Sequence, residues 1–307
     1  MSVQEWIMQW ISLRCAGLSA RTVAQYNDLV RRFVGPTLGK TPITELMSAD
    51  VAKLLQSICD TGHTRTAELV YVLLNAALRA AYQHHIINQN PCDLILRPRH
   101  YARQTQFLPP EELHRFAMWC LRHPSTWSTA WLLAMICGLR RGELCGLRWS
   151  DVDLRQGEIH ICNQRQVIPG RGTVEAVPKS RSSVRTIPLP AELVRVLRAQ
   201  LARQTETRLK TGIDTPYVVS GANNRPVCPH TLDNVLPSSL AAAGVPRITL
   251  HGLRHSMATA GLSAEVPMRV LQQLLGHASM STTARIYTHV LHKDEVSAID
   301  AIRTLVL

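Results

Sequence analysis

The chain has 307 residues, enough for two domains and a sizeable core. Its 34 lysines and arginines outnumber 22 acids for a net charge of +12, a balance that points to a polyanionic partner, most often nucleic acid. Eight scattered cysteines form no Cys-x-x-Cys pair and the apolar runs are too short to cross a bilayer, which excludes the common zinc spacings and a membrane span and favours a reduced, cytoplasmic setting.

Residues 1 to about 92 read as helical. Ser2 is placed to cap a first helix carrying Trp6, Trp10 and Leu13. Ser19 precedes a second, where Val23, Tyr26, Leu29, Val30 and Phe33 follow helical periodicity. Gly35-Pro36 and Gly39 are expected to break the chain. Ser48 opens a third helix and Thr64 a fourth, with Ala67, Val70, Tyr71, Leu74 and Leu78 as its apolar stripe and Asn90-Pro91 as its end. A bundle of four helices is expected. Residues 93–108 read as a basic linker, with Arg97, Arg99 and Arg103 interleaved with proline, histidine and tyrosine. It fits a segment crossing a phosphate backbone or an ordinary exposed tether.

The second domain, 109–307, opens on Pro109-Pro110-Glu111-Glu112, prolines and acids suited to a helix N-terminus. Thr126 or Ser128 precedes a helix apolar all round, which Gly138 ends. From about Gly157 the period becomes two: EIHIC, TVEAVPK and VRTIPL predict a small antiparallel three-stranded sheet, with Lys179 at the turn between the last two strands. Helices resume at 191–210, 229–243, 250–262, 266–275, 280–287 and 293–305. The fold class expected is mainly α with this small sheet.

The stretch from His251 to Tyr287 carries the chemistry. His251, Arg254 and His255 share one face if helical, Leu275-Gly276-His277 follows, and Tyr287 lies ten residues on. Imidazoles, a guanidinium and a phenol suit an anionic target and a nucleophile.

Four signatures then resemble the tyrosine recombinases, or phage integrase family, in that family's order. GLRRGELCGLRWSDVD resembles the first-arginine box, PKSRSSVRTIPL the lysine hairpin, and TLHGLRHSMAT and LLGHASMSTTARIYTH the second box. The N-terminal bundle is similar to the family's core-binding domain, especially SARTVAQY with GPTLG. The resemblance implies catalytic roles for Arg140, Lys179, His251, Arg254 and His277, with Tyr287 as nucleophile and Glu143 as a buried acid supporting Arg140. It implies a site-specific recombinase that cuts DNA through a 3′-phosphotyrosyl link, needing no metal or other cofactor. The GPTLG segment tips the role toward integrating or excising a mobile element. A Xer-type dimer resolvase, a type IB topoisomerase and a catalytically silent DNA-binding regulator remain alternatives. The implied partners are double-stranded DNA with inverted-repeat core sites, further copies of the chain in a tetramer, and a directionality or host bending protein. Arg21, Arg65, Arg97, Arg99 and Arg103 are candidate DNA contacts. The apolar face of residues 293–307 fits either a neighbouring protomer, as in the family, or its own domain.

Overall fold

The computed structural model describes residues 1–100, 106–178 and 181–276. Two compact units emerge, Met1–Arg103 with Ile168–Gly170, and Gln104–Val167 with Arg171–Leu307. The expected linker and domain edges stay a sequence-based proposal. Lys179, His277, Tyr287, Arg103 and the helices expected at 280–287 and 293–305 lie outside the described residues.

The first unit is a helical bundle. Helix α1 (Val3–Arg14) is capped by Ser2, whose hydroxyl accepts the Glu5 N–H while the Glu5 carboxylate accepts the Ser2 N–H. Helix α2 (Ala20–Leu29) starts at Ser19, whose hydroxyl accepts the Thr22 N–H. The chain does not break at Gly35-Pro36. A π turn (Val30–Val34) runs into α3 (Gly35–Leu38), and the Gly35 N–H bonds Val30 five residues back. That wider register accommodates Pro36, which has no N–H to give and falls in the first turn of α3.

Helix α4 (Ser48–Asp60) begins after Met47, whose N–H is taken by Asp50. Helix α5 (Thr64–Gln83) buries Ala67, Val70, Leu73, Leu74, Ala77, Leu78 and Ala81 at heptad-like spacing. It ends seven residues before Asn90-Pro91, at His84 and a left-handed His85. Asn90 instead caps a short 3-10 turn (Pro91–Leu94) by accepting the Cys92 N–H.

The second unit is built around α7 (Thr126–Ile136), buried along most of its length and packed by α6 (Pro110–Arg122), α9 (Ala191–Thr211), α10 (Pro229–Ala242) and α11 (Leu250–Ser263). Its cap is Ser125, one residue ahead of the expected Thr126, with the Ser125 hydroxyl taking the Ser128 N–H. The short α8 (Arg141–Gly146) follows α7, and α12 (Met268–Leu275) follows α11.

The three-stranded antiparallel sheet is present with different membership. Strands β1 (Val152–Asp153), β2 (Glu158–Ile161) and β5 (Arg185–Pro188) pair in the order β1-β2-β5. Strands β3 (Gln164–Ile168) and β4 (Gly172–Ala176) form a separate two-stranded ribbon. The expected middle strand, TVEAVPK, therefore pairs with the segment just before it rather than with VRTIPL. The three-residue connection 169–171 makes this the shortest loop closure open to the strand, a modest entropic advantage over the longer 177–184 connection. In the sheet, Ile159 faces Ile187 and Ile161 faces Arg185 across β2 and β5. The isoleucines are buried, so the register carries Arg185 to the core side.

Candidate active site

Helix α7 stops at Gly138, whose φ of +62° turns the chain as few other residues allow. Arg140 sits just ahead of α8, its N–H bonded to Glu143 Oε2 at 2.9 Å. This is half of a capping box, written by the local Arg-Arg-Gly-Glu order. The same carboxylate accepts Arg140 Nη1 on Oε1 at 2.7 Å. The neighbouring Arg141 turns the other way and pairs with Asp233 on α10.

A second cation meets Glu143 from β5. Arg185 Nη2 donates to Oε2 at 2.9 Å and Nη1 to Oε1 at 3.2 Å. The Glu143 side chain is 2% exposed and that of Arg185 7%. Burial alone would raise the Glu143 carboxyl, but the hydrogen bonds and charge of Arg185, joined by Arg140, hold it below the usual range.

Helix α11 starts at Thr249, whose hydroxyl accepts the Gly252 N–H at 3.0 Å. This fixes His251 and Arg254 in its first turns. Arg254 is 3% exposed and bonds the carbonyls of Gly138 and Leu275. Burial and the positive charge of Arg140 both work against its protonated form. His251 keeps an exposed edge. Partial burial, then the charges of Arg254 and Arg140, hold its imidazole below the ordinary histidine value. It is therefore neutral at pH 7 and able to accept a proton.

Three guanidinia converge on the end of α12. Arg185 Nε donates to Leu274 O at 2.6 Å, Arg254 Nη2 to Leu275 O, and Arg140 Nη2 to Gly276 O at 2.7 Å. These are carbonyls that a helix terminus leaves without partners, and the C-terminal dipole favours positive charge there. Gly276 ends the helix at φ +62°; a Cβ there would lie 2.9 Å from Ser182 O and 3.0 Å from Arg185 Nη1. The next residue in the chain is His277.

Three guanidinium charges thus surround one carboxylate, leaving a net positive site. Arg140, with 36% of its side chain exposed, is the cation best able to meet an incoming anion. Among the described residues no cluster of His, Cys, Asp or Glu could hold a metal, and no helix is long and apolar enough to cross a membrane. Among the described residues, several buried nucleophiles are suppressed. Burial pushes the Cys92, Cys120, Cys137 and Cys145 thiols up to about 12. Tyr217 is raised by burial and by its hydrogen bond to Glu175.

The structure brings Arg140, Glu143 and Arg254 together, with His251 one turn from Arg254. Of the candidate DNA contacts, Arg65 and Arg97 both pair with Glu68, and Arg21 and Arg99 are exposed. Arg185 was not among the residues picked out from sequence. Its signal was modest: an arginine two residues from Ile187 on the inward side of a strand.

Residues 106–294 match the phage integrase family and residues 3–96 the phage integrase central domain. A putative prophage phiRv2 integrase of Mycobacterium tuberculosis is 28% identical over 93% of this chain and 73% of its own length. Tyrosine recombinase XerA of Pyrococcus furiosus is 27% identical over 94% of this chain and 90% of its own. A XerC-like tyrosine recombinase of Caldanaerobacter subterraneus is 35% identical, over 57% of this chain and 48% of that protein. The fold is that of the Tn1549 transposon integrase solved with transposon right-end DNA (TM-score 0.81, 21% identity, 99% of this chain and 100% of that one). It also matches lambda integrase bound to a core site (TM-score 0.68, 18% identity, 93% and 95%).

Proposed function

Because the chain belongs to the phage integrase family, the tyrosine recombinases that cleave and rejoin DNA, we propose that it is a site-specific integrase acting for a mobile element. The observation that carries this reading is the net positive cluster of Arg140, Arg254 and Arg185 around Glu143, built onto the helix end that leads to His277 and Tyr287.

Tyr287 is the proposed nucleophile. A phenol has a pKa of about 10, so its proton must be taken or its oxyanion stabilised. His251, held neutral, accepts that proton. The phenolate oxygen attacks the scissile phosphorus and the bond to the 5′-oxygen breaks. A 3′-phosphotyrosyl link remains, and Lys179 protonates the leaving 5′-oxygen, which departs as a free 5′-hydroxyl. Negative charge grows on the non-bridging oxygens. Arg140 and Arg254 each spend two N–H groups on protein acceptors and keep others of their five for those oxygens. His277 supplies a further donor. Each such preorganised donor is worth roughly 3–4 kcal/mol. The covalent link conserves the bond energy, so rejoining is the same chemistry in reverse and no nucleotide is consumed.

The proposed substrate is duplex DNA with inverted-repeat core sites, met in the cytoplasm. Arg21, Arg65, Arg97, Arg99 and Arg103 contribute phosphate contacts, and a directionality or host bending protein sets the outcome. A tetramer linked through residues 293–307 is proposed as well; lambda integrase, which shares the fold, is known as a tetramer on a Holliday junction. The prophage and transposon relatives support integration over dimer resolution.

Covalent capture tests the reading. The protein is incubated with fragmented DNA of its source genome, denatured in SDS, and the DNA joined to protein is sequenced. Adducts clustered at one inverted-repeat site are expected. Adducts spread without site preference would indicate a topoisomerase, and tight binding without adducts a regulator.

A further inference from the structure

We propose that Arg185 is a positioning residue for strand cleavage, acting through Glu143 and the end of α12 to aim Arg140. The inference rests on the recombinase reading and adds a residue to it.

Arg185 is buried and commits four of its five N–H groups to protein acceptors, where Arg140 and Arg254 each commit two, so its guanidinium is spent on the protein rather than on DNA. Nη1 and Nη2 take the two oxygens of Glu143, Nε takes Leu274 O, and Nη1 also reaches Ser183 O at 3.1 Å. These acceptors belong to three separate segments: the acid beside Arg140, the last turn of α12 before His277, and the 181–183 turn that follows Lys179. One planar fork therefore fixes the mutual placement of all three.

The sharing at Glu143 is what aims Arg140. With both carboxylate oxygens engaged by Arg185, the Arg140 side chain reaches Glu143 through Nη1 alone, beside its backbone N–H, and places Nη2 on Gly276 O. Without Arg185 the buried carboxylate keeps Arg140 as its one bonded guanidinium, with Arg254 acting on it through charge alone. A two-pronged pairing would then draw Arg140 inward, away from Gly276 and from a bound phosphate. A buried ion pair is weak evidence for stability, since apolar residues of similar volume often serve as well. A lysine keeps the charge but has no rigid fork to span these acceptors.

The test compares wild type, Arg185→Lys and Arg185→Gln. Thermal unfolding first establishes that each variant is folded. Adduct formation is then followed at saturating fragmented genomic DNA, together with the half-saturating DNA concentration. The expected result is a rate lower by roughly a hundredfold in both variants, as for an ångström-scale misplacement, with half-saturation within about twofold of wild type. Folded variants with the wild-type rate would overturn the proposal. So would weakened DNA binding with unchanged rate at saturation. If wild type itself forms no adduct, the recombinase reading fails, and a second measurement made without DNA decides the geometry. The His251 imidazole is titrated by NMR in wild type and Arg185→Gln. The charge of Arg140 helps to hold that imidazole down, so retreat of Arg140 onto Glu143 should raise its midpoint; an unchanged midpoint would overturn the proposal.

Discussion

Two helices in the catalytic unit end alike and are finished in opposite ways. Helix α9 closes at Gly212 (φ +72°) with Arg208 and Lys210 in its own last turn, pairing with exposed Asp214 and Glu206. Helix α12 closes at Gly276 (φ +62°) with no basic residue in its last turn. Its carbonyls are held by Arg140, Arg185 and Arg254, drawn from 21 to 136 positions away. The α9 end is a local solution, sufficient to stop a helix at the surface. The α12 end brings buried cations together at real desolvation cost, which makes sense where positive charge has a further task.

The sharpest way to break this comparison is to neutralise the acid in each place. Glu143→Gln leaves Arg185 and Arg254 buried without their counter-charge and is expected to cost about 3–5 kcal/mol in urea unfolding. Glu206→Gln, on the exposed α9 pair, should leave the unfolding midpoint where it is. Equal effects at the two sites would mean that the α12 cluster is an ordinary cap.

Next in size is glycine. Both Gly212→Ala and Gly276→Ala force a side chain into the left-handed region, for about 1–2 kcal/mol each. At Gly212 a Cβ meets nothing within 4 Å, whereas at Gly276 it meets Ser182 O and Arg185. Gly276→Ala should therefore be the more destabilising and should lower adduct formation, while Gly212→Ala should not affect cleavage.

Smaller effects lie in pH. The Glu143 carboxyl is held below its ordinary value of 4.5, so its contribution to stability is present above that pH and is lost as pH falls through the lower folded value. Unfolding measured from pH 6 to pH 3 should show that loss in wild type, and Glu143→Gln should flatten it. His251 is likewise held below 6.5, so its neutral form persists further into acid. The acid limb of single-turnover cleavage should therefore be centred below 6.5; a decline centred near 7 would argue against His251 as the base.

Much of this was readable from sequence where the relevant spacing is short. Arg140 and Glu143 are three apart and cap one another, and His251 and Arg254 are three apart on one helix. The bundle helices followed from their apolar stripes. Arg185 was hidden because its partner Glu143 lies 42 positions away, and nothing local to VRTIPL shows an acid waiting. Strand membership failed for a related reason. A period of two identifies TVEAVPK as a strand without saying what it pairs with, and the two-residue β1 gives almost no pattern. Pro36 misled because a π turn let the helix pass through it.

The most direct measurement maps the covalent bond itself. Protein trapped on DNA is digested with nuclease and protease, and the peptide carrying the residual nucleotide is sequenced by mass spectrometry. The account predicts the nucleotide on Tyr287 and no adduct from Tyr287→Phe. An adduct that persists in Tyr287→Phe, or maps to another residue, would contradict it.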